Sequence, residues 1–232
     1  MEAPTHLKEH YQQLYNRSIS KIQAGQVEVD ESIDSPDDNR RGITLLIRPP
    51  DYIKSKIQDF LHILRAVAPE QYYYRQSDMH VTVMSLISCY PGFSLDKIAI
   101  ADYVAIIQKS LANTRQFEIN FKGIMATPAS VLIQGFLHEP TLNDLRDQLR
   151  QNFKNSTLEQ TIDKRYSIQT AHATVVRFRK KLSHSEAFAD LLEQYRHYNF
   201  GTFPVESLEL VYNDWYQRQE KVRLLHVFKL PG

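Results

Sequence analysis

Residues 80–83 read His80-Val81-Thr82-Val83, and about ninety residues further on residues 172–175 read His172-Ala173-Thr174-Val175. Each quartet lies in a short β-branched run, His80 to Ile87 and His172 to Phe178, of the kind that forms a strand. Side chains alternate across a strand, so His80 and Thr82 share one face, and His172 and Thr174 share one face of theirs. Val81 and Val83 then point to the opposite, core side. Each strand would bury an aliphatic face against helices and offer an imidazole and a hydroxyl roughly 7 Å apart on the other. One such motif is most simply a structural histidine. Two copies, both on strands, predict that the pairs face one cleft.

Outward from these strands, helix and strand alternate. Gly42 to Arg48 is an apolar run stopped by Pro49 and Pro50, and residues 51–67 have helical spacing. Tyr72 to Arg75 leads through the polar turn Gln76, Ser77, Asp78 into the first motif. A helix is predicted at 95–112, a strand pair at Phe117 to Ala126 and Ser130 to Leu137, and a helix at 140–154 opened by Pro140. After the second motif come a helix at 184–198 and a closing hairpin, Val205 to Tyr212 with Val222 to Leu230. Interleaved helices and hairpins predict an α+β fold with mixed or antiparallel sheets, and the recurring His-x-Thr-Val strand is a weak internal repeat.

The first forty residues differ. Residues 5–23 carry Leu7, Tyr11, Leu14, Tyr15, Ile19 and Ile22 at three- and four-residue spacing, an amphipathic helix with Thr5 as its cap. The acidic stretch that follows Gly25 has little to bury and reads as a loop or mobile linker. The expected organisation is a helix and linker over residues 1–39, dispensable for chemistry, and one compact domain over 40–232.

The chain has 232 residues, 42% hydrophobic and 24% charged, enough for a sizeable core. Its 28 Lys and Arg against 27 Asp and Glu create no strong field that would draw it to nucleic acid or membrane, so any nucleic-acid contact must be local. The single cysteine, Cys89, can close no intrachain disulfide, and a reducing compartment follows as the expectation. The start lacks the order of a secretory signal and no apolar run approaches a membrane span, so the expected location is the cytoplasm, without a membrane partner and as a monomer.

Chemistry follows by elimination. Neither motif strand offers a third ligand at close spacing, so no metal is expected, and no cofactor. There is no GxSxG nucleophile turn, and the seven glycines form neither a GxG nor a Gly-Lys phosphate loop. Two imidazoles without a carboxylate suit paired acid and base work: one neutral histidine takes a proton from the attacking oxygen, and one imidazolium protonates the leaving oxygen. Thr82 and Thr174 would hydrogen-bond the non-bridging oxygens where charge gathers. A phosphodiester fits these parts. Which histidine is the base stays open, and the pH profile should be a bell with one arm on each side of neutrality.

Two HxTx motifs at this separation in an α+β chain resemble the 2H phosphoesterase superfamily, which includes the 2′-5′ RNA ligase-like proteins and cyclic nucleotide phosphodiesterases. The resemblance spans about residues 42–230. It is reinforced by Arg177 in HATVVR, by the basic continuation Arg179, Lys180, Lys181, by the lead YYYRQSDMHVTV, and by the closing ELVYNDWYQRQEKVRLLHVFKL. It implies two lobes related by a pseudo-twofold axis with the active cleft between them. It also implies a metal-independent phosphodiesterase acting on a 2′,3′-cyclic or 2′-5′ linkage of a nucleotide or RNA end. Two alternatives remain: a module that binds such an end without turnover, and RNA ligation through the same residues.

Three further residues are candidates for substrate binding. Arg177 lies an odd number of positions from His172, so on a regular strand it would face away, and a bulge is needed to turn it to a phosphate. Trp215 and Tyr216, in the final hairpin loop, could stack on a base or pack on the hairpin. His6 and His10 are one helical turn apart but lack a third metal ligand.

Overall fold

The computed structural model describes residues 5–164 and 167–232. The side chains of Thr5, His6, Leu7, Lys8, His10 and Leu14 lie outside the described residues, and with them the expected helix cap, the His6 and His10 pair and two positions of the amphipathic stripe.

The chain runs α1 (Thr5–Gln23), β1 (Arg40–Ile47), α2 (Asp51–Val67), β2 (Tyr72–Tyr73), β3 (Val81–Pro91), α3 (Ile100–Ser110), β4 (Phe117–Thr127), β5 (Ser130–Phe136), α4 (Thr141–Lys154), β6 (Ala173–Arg177), α5 (Ser185–Tyr195), β7 (Asn199–Val205), β8 (Ser207–Asn213) and β9 (Arg223–Lys229). The fold is the expected α+β one, with two sheets. One has the order β3-β1-β8-β9 and the other β2-β6-β5-β4-β7. Every pairing among the described residues is antiparallel, so neither sheet is mixed.

Helices α3 and α4 cover the first sheet, and α1, α2 and α5 cover the second. One continuous apolar core runs from Leu45 and Val83 in the first sheet to Ile133 and Val175 in the second. The two sheets therefore form one body, and they meet where β3 packs beside β6.

The strand β7 has no counterpart in the sequence reading, which carries the preceding helix to residue 198. Gly201 and Pro204 look like breakers there. Yet β7 is an edge strand, where a proline costs no ladder bond on its open side, and Gly201 takes φ 116° at a register shift. Phe200 and Phe203, both buried, anchor the strand.

The acidic stretch is not a free tether. The Glu28 amide donates to the Pro128 carbonyl and the Asp30 amide to the Phe178 carbonyl, both at 2.8 Å. Ile33 is buried, and Asp34 pairs with Arg179. Composition counted these carboxylates as groups with nothing to bury, whereas Asp34 pairs with Arg179, Asp38 with Arg40, and Asp30 stands 4.0 Å from Arg177.

Candidate active site

Both motif strands carry a bulge at the same motif position. Opposite β1, Leu45 faces Met84 and Leu46 faces Thr82, leaving Val83 as the extra residue. Opposite β5, Val131 faces Val176 and Leu132 faces Thr174, leaving Val175 extra. Val83 and Val175 are the fourth residues of their motifs, and the bulge sends two successive side chains inward: Val83 with Met84, and Val175 with Val176, all fully buried. The residue five positions beyond each histidine thereby returns to the partly exposed face of the motif threonine. That residue is Ser85 on β3 and Arg177 on β6. The bulge needed to turn Arg177 towards the face of His172 is thus present, and Arg177 acts electrostatically on both histidines.

The two half-sites anchor their imidazoles alike. His80 Nδ1 lies 2.8 Å from the Asp78 carbonyl, and His172 Nδ1 lies 2.6 Å from the Thr170 hydroxyl. Both partners stand two residues before the histidine, one with its backbone and the other with its side chain. A carbonyl only accepts, so His80 carries its proton on Nδ1 and leaves Nε2 unprotonated when neutral.

Asp78 itself is held firmly. It is buried at the end of a short 3-10 turn, and its carboxylate accepts from Ser77 Oγ at 2.7 Å and from the Gln219 amide at 3.1 Å. Arg48, at the end of β1, donates to the Ser77 and Met79 carbonyls at 3.2 and 3.4 Å and so pins the loop that carries His80.

Arg146 of α4 joins the two motifs. Fully buried, it donates through Nε to the Val83 carbonyl at 3.0 Å and through Nη2 to the carbonyls of Thr82 at 2.9 Å and Thr170 at 3.0 Å. One guanidinium thus holds the strand of the first histidine and the approach to the second. Neither Arg48 nor Arg146 stands out in the sequence, because the carbonyls they serve become neighbours only after folding.

These cations and the enclosure shape the protonation of the pair. Desolvation, then Arg48, His172 and Arg177, push the His80 imidazole down to about 3, against the raising effect of the Asp78 carbonyl. Desolvation, then Arg146 and Arg177, push His172 down to about 4. Both rings are thereby held neutral at pH 7, whereas the acid and base reading needs one of them charged during the reaction.

Thr82 lines a recess of about 60 Å³ together with Met84, Ser85, Ser88, Thr161, Asp163, Ile168 and Trp215. Trp215 therefore shares a wall with the first motif, and the guanidinium of Arg177 lies 5.8 Å from the centre of its ring. Tyr216 differs from the expectation of a stacking surface, since it is wholly buried. Its hydroxyl donates to Asp30 Oδ1 at 3.0 Å and accepts from Arg40 at 3.3 Å. Its ring backs Arg177 and Arg218, with their guanidinium centres at 5.8 and 4.5 Å. Arg177 also donates to the Tyr74 hydroxyl at 3.1 Å. Among the described residues no group of three His, Cys, Asp or Glu side chains stands together as metal ligands would, and no helix is long and apolar enough to cross a membrane.

The architecture has known counterparts. The protein TT0787 of Thermus thermophilus superposes with a TM-score of 0.59 at 15% identity, covering 82% of this chain and 98% of that one. A protein described as a phosphoesterase gives 0.54 at 15% identity over 83% and 99%. Escherichia coli LigT, complexed with 3′-AMP, gives 0.52 at 14% identity over 83% and 99%. At such identities the likeness is one of fold. No curated protein sequence matches the chain significantly. The family described as the AKAP7 2′5′ RNA ligase-like domain, by contrast, matches residues 51–221, a span that holds both histidine motifs and the loop of Trp215. By that match and that fold, the chain belongs to the AKAP7 2′5′ RNA ligase-like domain family of the 2H phosphoesterase superfamily.

Proposed function

We propose that the cleft hydrolyses a 2′,3′-cyclic or 2′-5′ phosphodiester of a nucleotide or RNA end, without a metal, by acid and base catalysis between His80 and His172. The observation that carries this reading is the matched anchoring of both Nδ1 atoms, 2.8 Å from the Asp78 carbonyl and 2.6 Å from the Thr170 hydroxyl. Rings held through Nδ1 have their Nε2 atoms free for the reaction. One Nε2 lone pair takes a proton from water as its oxygen bonds to phosphorus. The other ring, protonated at Nε2, gives its proton to the ribose oxygen as the P–O bond breaks, so one proton enters the pair and one leaves.

Desolvation and the neighbouring arginines hold both rings neutral, so the acid is created as the substrate anion binds. A phosphodiester anion beside the imidazoles favours their charged form and offsets the desolvation that disfavours it. Arg177, turned to the cleft face by the bulge at Val175, supplies fixed positive charge, and the Thr82 and Thr174 hydroxyls serve the non-bridging oxygens. Trp215, which lines the recess beside Thr82, stacks on the base in this reading, and Tyr216 supports Arg177 from behind. The partner is then a small nucleotide or RNA end met by a monomer in a reducing cytoplasmic compartment, away from membranes, where the buried Cys89 stays a thiol.

The test is turnover of 2′,3′-cyclic mononucleotides and 2′-5′ dinucleotides, with EDTA present, by the wild type and by His80→Ala and His172→Ala. Hydrolysis by the wild type alone supports the reading. Binding without turnover would mark a recognition module, and joining of paired RNA ends in place of hydrolysis would mark a ligase.

A further inference from the structure

The side chain beneath His172 does not end at Thr170. Tyr11, on the N-terminal helix α1, is hydrogen-bonded to the Thr170 side chain, and its hydroxyl also lies 3.4 Å from the Gly135 carbonyl. Tyr11 is 1% exposed and is seated in an apolar niche of Met125 and Leu132, with its ring edge-on to Phe136 at 5.4 Å. Burial pushes its phenol far above the usual range, so it remains a neutral O–H.

The order of donors along this chain follows from its far end. A carbonyl only accepts, so Tyr11 O–H donates to Gly135, and the Tyr11 oxygen is left to accept from Thr170 O–H. Thr170 Oγ1 then accepts from His172 Nδ1–H. That order places the lone pair of neutral His172 on Nε2, as the Asp78 carbonyl does for His80.

The route depends on close approach. A Cβ added at Gly135 would meet the Ala171 carbonyl at 1.8 Å, so only glycine lets β5 lie this near the residue before His172. Helix α1 is locked in register by two more contacts. Tyr15 donates to Glu193 Oε2 at 2.8 Å, and Arg196 sits over the Tyr15 ring at 4.7 Å.

We infer that Tyr11 of the N-terminal helix is a positioning residue for His172, setting its ring tautomer through Thr170, so that α1 belongs to the working site. This inference rests on the proposed acid and base role of His172. Without Tyr11 Oη as acceptor, the Thr170 hydroxyl is released to donate to His172 Nδ1. The neutral ring then carries its proton on Nε2 and loses the lone pair that faces the substrate.

The experiment uses the full chain with Tyr11→Phe, Thr170→Val and Thr170→Ser, and reads two quantities. The first is the histidine tautomer from long-range ¹H–¹⁵N correlations without ligand. The second is turnover of 2′,3′-cyclic AMP. The expected result is an Nδ1–H tautomer for His172 in the wild type, a shift towards Nε2–H in Tyr11→Phe, and a loss of kcat of roughly 10- to 100-fold with KM little changed. Thr170→Val should lose as much, and Thr170→Ser should restore both readouts. Because both residues act through one nitrogen, the double variant Tyr11→Phe, Thr170→Val should be no worse than Thr170→Val alone.

An Nε2–H tautomer in the wild type, or Tyr11→Phe with tautomer and turnover unchanged, would overturn the inference. Should Tyr11→Phe fail to fold, the Thr170 pair decides: equal tautomers in Thr170→Val and Thr170→Ser would overturn it. A wild type that turns over no phosphodiester would defeat the proposed function, while the tautomer measurement would still decide whether the relay exists.

Discussion

Arg146 Nη2 donates to the Thr82 carbonyl at 2.9 Å, linking a helix that follows the second sheet's hairpin to the first histidine strand. The same nitrogen reaches the Thr170 carbonyl at 3.0 Å, two residues before the other histidine. The spacing between the two motifs is therefore set by a buried cation as well as by the apolar core.

Replacing Arg146 by Met should cost about 3 kcal/mol or more, since several buried carbonyls would lose hydrogen bonds to a charged donor. Arg146→Lys keeps the charge but not the fork, and should recover only part of the loss. Urea unfolding measures both. Removing the cation should also raise the His172 pKa, because Arg146 now lowers it. An unchanged His172 titration in Arg146→Met would show that the guanidinium acts on the strands alone.

For the reaction, His80→Ala and His172→Ala should each lower turnover by roughly 10²–10⁴, the usual weight of a general acid or base. Thr82→Val and Thr174→Val keep shape and lose a hydroxyl, so turnover should fall with the fold intact. Circular dichroism run beside the assay separates lost chemistry from lost structure.

The pH dependence of stability follows from the depressed histidines. Their folded values, about 3 for His80 and about 4 for His172, lie below the unfolded value near 6.5. Below pH 6.5 the unfolded chain takes up protons that the folded chain refuses, so stability present above 6.5 is lost as pH falls towards 4. His80→Gln and His172→Gln should flatten this acid slope, as measured by melting temperature between pH 7 and 4. A slope unchanged in both variants would assign acid sensitivity to other groups.

The rate profile should carry the same mark. At low substrate, kcat/KM reports the free protein, and its limbs should lie on the acid side of neutrality rather than straddling it. At saturation the bound anion raises both histidines, so the kcat limbs should sit at higher pH. Each limb belongs to the coupled pair and not to one ring. Coincident profiles would mean that the substrate does not charge the pair.

Removal of residues 1–38 should impair turnover, contrary to the expectation from composition. The segment supplies Tyr11 beneath His172. It also supplies Asp30, which accepts from Tyr216 and lies 4.0 Å from Arg177. Asp30→Ala in the full chain isolates the second effect, and it should raise KM more than it lowers kcat, because it loosens Arg177 while the Asp78 and Thr170 contacts of the histidines stay in place.

Much of this protein was legible from periodicity. Alternation in HVTV and HATV marked two strands with one wet and one dry face, and helical spacing over 51–67 matches α2 residue for residue. Those signals survive because they depend on neighbours two to four positions away. Strand β7 was lost for the same reason: Gly201 and Pro204 are local breakers that an edge position tolerates.

The site divides along that line. The sequence by itself determined the residue types, two strands that each carry a motif threonine and begin one residue after its histidine, and that an odd offset would turn Arg177 away unless a bulge intervened. Only the tertiary structure decided that bulges occur at Val83 and Val175, because a bulge is a mismatch between partners and is not written in either strand alone. The protonation of the pair is likewise a property of the fold, since desolvation and the nearness of Arg48, Arg146 and Arg177 arise from segments far apart in the chain. The roles of Tyr11 and Asp30 were hidden most completely. A residue's distance along the chain carries no information about which buried nitrogen or guanidinium it will reach once the helix has docked.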